Sequence, residues 1–252
     1  MFIHNINPVL ITIGPLEIRY YGLMYALAIV ISYFFLEKFR KQGDLPLQKN
    51  EVSDFIFWIF LGTIIGARLG IVFFYHPLFY LQNPLEIFMI WHGGMSFHGG
   101  LIGAIIIASI YCKQKKLDLL KIADLMVIPF ALALFFGRIG NFLNNELWGK
   151  PTSLPWGVKF QGAEEFRHPS QIYEALKNLF IFGVLYSLKR KNLPRGSLFF
   201  SFLLLYGILR FLVEFVREPS WVFYSLSTGQ ILSIPLVIIG IIGLIKTSKN
   251  RH

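Results

Sequence analysis

Seven apolar runs of 17 to 22 residues, each bounded by a polar connection, restrict this chain more than any other feature of it. They cover residues 20–36, 54–75, 94–112, 122–138, 172–188, 197–216 and 229–246. A bilayer core takes about 20 residues of helix, so each run suits one crossing. The composition agrees: 55% of the 252 residues are hydrophobic, 17% are aromatic and only 15% are charged. Mean hydropathy is +0.57. A soluble domain of this length has too little interior to hide so much apolar surface. The expected fold class is therefore an all-α polytopic membrane protein, a single seven-helix domain over 1–252.

The basic residues set the expected direction of the spans. Lys38, Arg40, Lys41 and Lys49 lie in the first connection, and Lys113, Lys115, Lys116 and Lys121 in the third. Lys189, Arg190, Lys191 and Arg195 lie in the fifth, and Lys246, Lys249 and Arg251 at the C-terminal end. These are 15 of the 24 Lys and Arg residues, whereas the second connection, 77–93, has none. The alternation predicts an outer N-terminus and a cytoplasmic C-terminus. The net charge of +10 thus serves topology and the anionic inner leaflet, and no nucleic-acid partner is expected.

Residues 1–18 carry Pro8 and Pro15 and no basic leader, so they read as an outer arm and not as a cleaved signal peptide. The fourth connection, 139–171, is long, rich in Gly, Pro and Asn, and holds Trp148 and Trp156. It is expected to form an ordered outer cap at the membrane interface. Cys112, the one cysteine, permits no intrachain disulfide and reads as a small filler at a helix end.

Ionisable residues inside spans are costly and point to function. The candidates are Arg68, Asp124, Arg138, Glu174, Lys177, Arg210 and Glu214. At 1.5 Å per residue, Arg68, Arg138 and Arg210 lie ~21, ~24 and ~20 Å above the inner ends of their spans. Tyr20, Tyr21, His98 and Glu174 lie near the outer starts of theirs. Polar groups from most of the helices are thus expected at one depth, in the outer half. For Arg68, snorkelling to the interface is the competing reading. For Arg210 and Glu214, it is mutual neutralisation at i,i+4 spacing, with Tyr206 on the same face and Arg217 a turn further on. Arg138 is followed by Asn141, Asn144, Asn145 and Glu146, an excess of hydrogen-bonding groups for a lipid boundary. Asp124 reads as a charge near a helix start.

Convergent arginines suit a phosphate, and the abundant phosphate here is a phospholipid head group. Gly99, Gly100 and Gly103 would leave a groove for an acyl chain, or serve close helix packing. His98 beside them would act as a general base or orient the phosphate. No metal or cofactor is expected: there is no HExxH and no His or Cys cluster with metal spacing. G-x-S-x-G and P-loop patterns are also absent. A lipid transporter would gather arginines at a head-group site too, and the echoes of "YGLMYAL" in "YGILRFL" and of "ARLG" in "GRIG" are too short to establish its repeated halves. A purely structural membrane protein gives no reason for the buried charges.

The stretches "HGGMSFHGGLIGA" (92–104), "GRIGNFLNNELWG" (137–149), "RHPSQIYEAL" (167–176) and "YGILRFLVEFVREP" (206–219) together resemble the bacterial prolipoprotein diacylglyceryl transferases, and "YYGLMYALA" (20–28) fits as well. The resemblance runs from about Pro15 to Ser233. It implies a multi-pass enzyme of the bacterial cytoplasmic (inner) membrane, its site facing the outer leaflet. Such an enzyme moves the diacylglyceryl group of phosphatidylglycerol onto the lipobox cysteine in the signal peptide of a preprolipoprotein, forming a thioether and releasing glycerol phosphate. Phosphatidylglycerol, these signal peptides and membrane lipids are the implied partners. The family's functional residues fall on Tyr21, His98, Arg138, Asn141, Glu146, Gly149, Tyr206, Arg210 and Glu214, with Gly99 and Gly100 expected at the lipid. The segment between Gly149 and Arg167 is shorter than in some relatives. The attacking thiol would come from the substrate, with Arg138 and Arg210 stabilising the leaving phosphate and Glu146 and Glu214 holding the arginines.

Overall fold

The computed structural model describes residues 2–14, 16–191, 193–219 and 221–249. Its helices are α1 (Tyr20–Lys41), α2 (Lys49–Gly70, continued by a wider turn over Ile71–Tyr75), the short α3 (Pro77–Gln82), α4 (Phe97–Gln114), α5 (Leu119–Leu143), α6 (Ser170–Lys189), α7 (Ser197–Val213) and α8 (Thr228–Lys249). α1, α2 with its continuation, α5 and α8 are long and apolar enough to cross a membrane, and α7 is a shorter apolar helix. The small strands are β1 (Phe2–Ile3), β2 (Val9–Ile13), β3 (Leu16–Arg19), β4 (Val158–Lys159), β5 (Val222–Phe223) and β6 (Leu226–Ser227). β1 pairs parallel with β4, and the pairs β2–β3 and β5–β6 are antiparallel. The β5–β6 turn puts Tyr224 and Ser225 at φ 46° and 67°, the left-handed geometry of a two-residue hairpin.

The chain divides into two compact units, Leu36–Ile122 and the remainder, Met1–Phe35 with Ala123–His252. In the smaller unit α2 packs along α4. Gly62, Gly66 and Gly70 on α2 meet Gly99 and Gly103 on α4 so closely that a Cβ on any of them would strike the opposite helix. This is small-xxx-small packing, which lets two backbones approach where lipid supplies no hydrophobic drive. Of the two readings of these glycines, the contact matches close helix packing and not the acyl groove. Gly99 and Gly103 are filled by α2, and a Cβ on Gly100 would press on Thr63 and Ala67. Gly103→Val is expected to lower the stability of detergent-solubilised protein by about 1–3 kcal/mol, seen as an earlier thermal transition. An unchanged transition would show that the α2–α4 contact can give way.

Arg68, read as a possible snorkelling residue, is instead only 4% exposed. Its guanidinium donates to the carbonyls of Ile87 (3.0 Å), Met89 (3.1 Å), Gly93 (2.5 Å), Gly94 (3.2 Å) and Glu86. The Tyr80 ring lies 5.1 Å from it. One planar fork thus satisfies the carbonyls of an irregular connection that has few partners of its own. Gly93 and Gly94 at φ 85° and 74° end that connection, and Ser96 caps α4 by accepting from the Gly99 N–H. α4 therefore starts at Phe97, three residues later than the apolar run.

In the larger unit α6 packs on α7 and α7 on α8. α6 is inverted relative to a helix in water. Gln171, Glu174, Lys177 and Asn178 are buried, while Leu176 and Phe180 on the other face are 58% and 57% exposed. A helix turns that way when its surroundings are apolar and its polar groups have partners inside. Two expectations change here. α5 continues past Arg138 to Leu143, with Asn144 N–H closing onto the Gly140 carbonyl, so Asn141 is helical and not in the connection. Asp124 does not mark a helix start, because Asp118 caps α5 by accepting from the N–H groups of Leu120 and Lys121. Asp124 instead accepts from the N–H groups of Gly196 (2.5 Å) and Phe199 (2.8 Å), holding the first turn of α7 against α5.

Candidate active site

The site assembles around Glu174 of α6, whose side chain is fully buried. Arg210 from α7 and Lys177 from the next turn of α6 both donate to it, Lys177 at 2.8 Å. Arg138 from α5 places its Nε 3.7 Å from Oε2, and Arg217, just beyond α7, places Nη1 3.6 Å from Oε1. Four cations thus converge on one carboxylate. Glu214 supplies a second, pairing with Arg210 and with Nε of Arg217 at 3.1 Å. Two carboxylates facing four cations leave a formal surplus of two positive charges.

Each position has a local reason. Arg210 and Glu214 are one turn apart, and Lys177 lies three residues after Glu174, so each pair shares a helix face. Glu214 sits over the start of α8, where the helix dipole favours an anion. Ser227 Oγ donates to it at 2.6 Å. Gly229 permits this approach, since a Cβ there would strike the carboxylate. The Tyr206 ring lies under Lys177 Nζ, 4.0 Å from it to the centroid, and stacks on Phe202. The Tyr206 side chain also lies near Arg138.

Exposure sorts the cations. The Arg138 side chain keeps 20% of its surface, Arg210 16%, Arg217 13% and Lys177 only 3%. Arg138 has the longest ion pair and the most free surface, so its fork is the least committed. Nε and Nη1 of Arg217 are buried yet have no acceptor at hydrogen-bonding geometry among the described residues. Such a group of partly used guanidinium donors is built to receive an anion.

A second cluster lies at the C-terminal end of α5. Tyr21 and Tyr25 of α1 share a hydrogen bond of 2.9 Å between their hydroxyls. Tyr21 packs across Gly140 and reaches toward Asn141 and Glu146. Glu146, expected to hold an arginine, instead accepts from Asn144 Nδ2 at 3.0 Å, in the turn that follows the end of α5 at Leu143. Asn145 and Leu147 take φ of 59° and 62° in that turn. Gly149 pairs with Arg217 across an antiparallel bridge, where a Cβ would strike the Val216 carbonyl and His168. Trp156 Nε1 donates to the Tyr173 hydroxyl (2.8 Å), which shares a hydrogen bond of 3.2 Å with His168 Nδ1. Burial lowers the proton affinity of the His168 ring.

Of the residues singled out from sequence, Arg138, Tyr206, Arg210 and Glu214 come together, and Tyr21, Asn141 and Glu146 form the neighbouring group. His98, Gly99 and Gly100 belong to the other unit, with His98 exposed in the first turn of α4. Glu174 and Lys177 were candidates only as charges inside a span, and neither they nor Arg217 had an expected role in the site. Their signal was present, as ionisable residues in or beside apolar runs, but the sequence does not show which helices bring them together. Among the described residues, no three His, Cys, Asp or Glu side chains group as metal ligands.

Residues 8–246 match the family model for prolipoprotein diacylglyceryl transferase. A protein of Geobacter sulfurreducens with the name phosphatidylglycerol--prolipoprotein diacylglyceryl transferase is 41% identical, over 98% of this chain and 97% of its own length. Proteins of the same name from Idiomarina loihiensis and Aeromonas hydrophila are 44% and 45% identical, over 97% and 94% of this chain and 94% and 88% of their own lengths. A buried arginine cluster with surplus positive charge and a family match across almost the whole sequence agree, and the chain belongs to the prolipoprotein diacylglyceryl transferase family.

Proposed function

We infer that this protein transfers the diacylglyceryl group of phosphatidylglycerol to a prolipoprotein, the first step of lipoprotein maturation. The observation that carries the chemistry is the convergence of Arg138, Lys177, Arg210 and Arg217 on Glu174 with two positive charges to spare. In the proposed reaction the lipobox cysteine of the substrate loses its proton, and its sulfur attacks the glyceryl carbon that bears the phosphate ester. A C–S bond forms, the C–O bond to phosphate breaks, and glycerol phosphate leaves with the electron pair. Charge grows on the phosphate as that bond opens, so guanidinium groups fixed beforehand favour the transition state more than the bound lipid. Arg138 and Arg210 fill this role, and Glu174 and Glu214 hold them in place. Tyr21, Asn141 and Glu146 contact the glycerol head group, and Gly149 keeps the cap close against Arg217.

The proposed setting is the bacterial cytoplasmic membrane, with seven spans, an outer N-terminus and a site at the outer leaflet. The strongly apolar helices and the basic connections support this arrangement. The test is to incubate purified protein with phosphatidylglycerol and a lipobox peptide and weigh the peptide. A diacylglyceryl mass gain on its cysteine is expected. An unmodified peptide, with lipid moved between vesicles instead, would favour a transporter.

Two outcomes follow from a substrate-borne thiol and a cation-driven departure. Cys112 is 1% exposed at the end of α4, and Cys112→Ser is expected to keep transfer within about twofold, since loss of a buried thiol perturbs packing only. Abolished transfer in a folded Cys112→Ser protein would require a covalent enzyme intermediate. For His98 we propose head-group orientation. His98→Gln, which keeps a donor, should raise the apparent KM for lipid while single-turnover transfer at saturating lipid stays within about tenfold. A drop of about 100-fold at saturating lipid would make His98 the general base.

A further inference from the structure

His4 belongs to neither cluster described above, yet it is 1% exposed and bonded to the end of α5. Its backbone N–H continues the β1–β4 pairing by donating to the Lys159 carbonyl at 2.9 Å. The ring enters a box of aromatic side chains, with centroids 5.1 Å from Phe142 and 5.5 Å from Phe160, and Phe2 at the edge. Phe160 in turn stacks on Trp148 of the cap.

The ring Nε2 is 2.8 Å from the Phe142 carbonyl. A carbonyl only accepts, so Nε2 carries the proton and donates. Nδ1 is buried with no hydrogen-bond partner among the described residues. A histidine that tolerates such burial for one hydrogen bond is held there by what that bond fixes.

Phe142 follows Asn141 directly and lies four residues after Arg138. Its carbonyl is one of the last of α5, where intrahelical donors run out. It accepts from His4 and from the Asn145 N–H at 3.1 Å, and the Asn141 carbonyl accepts from the Glu146 N–H at 3.1 Å. Asn145 also bonds both backbone groups of Gln161 through its side chain. The turn that presents Asn141, Asn144 and Glu146, with its two left-handed residues, is thus pinned from two directions. His4 is the pin from the N-terminal segment.

We propose that His4 is a positioning residue for lipid binding: it locks the α5 exit turn so that Asn141 and Glu146 stand beside Tyr21 in the geometry that receives the phosphatidylglycerol head group. This rests on the proposed function above. It assigns to residues 2–4 a part in lipid affinity that their distance from the cation cluster conceals.

The test compares His4→Gln, His4→Asn and His4→Phe by transfer to a lipobox peptide at varied phosphatidylglycerol. Gln can place an amide N–H where Nε2 stands; Asn is too short to reach, and Phe keeps the ring without the donor. His4→Gln should stay within about threefold of wild type in the lipid KM, whereas His4→Asn and His4→Phe should raise it by about tenfold, the loss of one buried donor. In all three, kcat should change less than about twofold, because the cations that serve the bond-breaking step are untouched. A purely structural role would lower kcat together with the amount of folded protein and leave KM alone. If His4→Phe does not fold, the Gln and Asn pair carries the comparison. Unchanged KM in His4→Asn, or equal loss in Gln and Asn, overturns the proposal. Absence of transfer by the wild-type protein would overturn the proposed function instead.

Discussion

Glu174→Gln is expected to lower single-turnover transfer by more than about 100-fold and to destabilise the protein by about 3–5 kcal/mol, the usual cost of leaving buried charges without their partner. The substitution keeps shape and removes one negative charge. Arg138, Lys177, Arg210 and Arg217 would then face Glu214 alone. Their mutual repulsion rises, and the guanidinium groups spread from the positions that suit one phosphate. Thermal unfolding in detergent and transfer at equal folded protein separate the two effects. A Glu174→Gln protein with wild-type rate and transition temperature would mean that the cations need no central counter-charge.

Arg138→Lys is expected to cost about 100-fold in turnover while the fold survives, a loss in the range seen when one preorganised donor is removed from a developing oxyanion. The charge is kept, but a lysine is a point charge without the planar fork. Arg138 is the least committed of the four cations, with a 3.7 Å ion pair and 20% of its side chain exposed, so little of its role is structural. The relevant readout is kcat under saturating lipid at matched protein level. A lysine variant that turns over like the wild type would remove Arg138 from the phosphate.

Hydropathy and basic connections made the helices legible because lipid imposes one simple rule: long apolar runs outside, charges confined to ends or to paired interiors. The helix ends were less legible. α5 runs on through Asn141 because backbone hydrogen bonding continues after the apolar pattern stops. α4 begins late because Gly93 and Gly94 adopt left-handed backbone. Within the site, Arg138, Arg210 and Glu214 stood out as costly charges, and helix rise gave the two arginines a similar expected depth. Their common partner did not stand out. Glu174 and Lys177 are spaced to neutralise each other, and only the packing of α6 on α7 brings Arg210 to the same carboxylate. Arg68 failed in the opposite direction. Its sequence setting matches that of Arg138, yet it satisfies five backbone carbonyls of one connection. A guanidinium serves a ligand or a loop equally well, and sequence spacing does not distinguish them. His4 gave no signal at all, since its importance lies in one bond to residue 142.

The claim that the cations around Glu174 serve the departing phosphate is tested most directly by following both products of one turnover. Phosphatidylglycerol labelled in its head-group glycerol is mixed with a lipobox peptide and excess protein, either wild type or Arg210→Lys. The wild type should release one labelled glycerol phosphate for each diacylglyceryl thioether formed, and Arg210→Lys should slow both by the same factor of about 100 or more while still retaining the peptide. Equal rates in the two proteins, or thioether formation uncoupled from glycerol phosphate release, would contradict it.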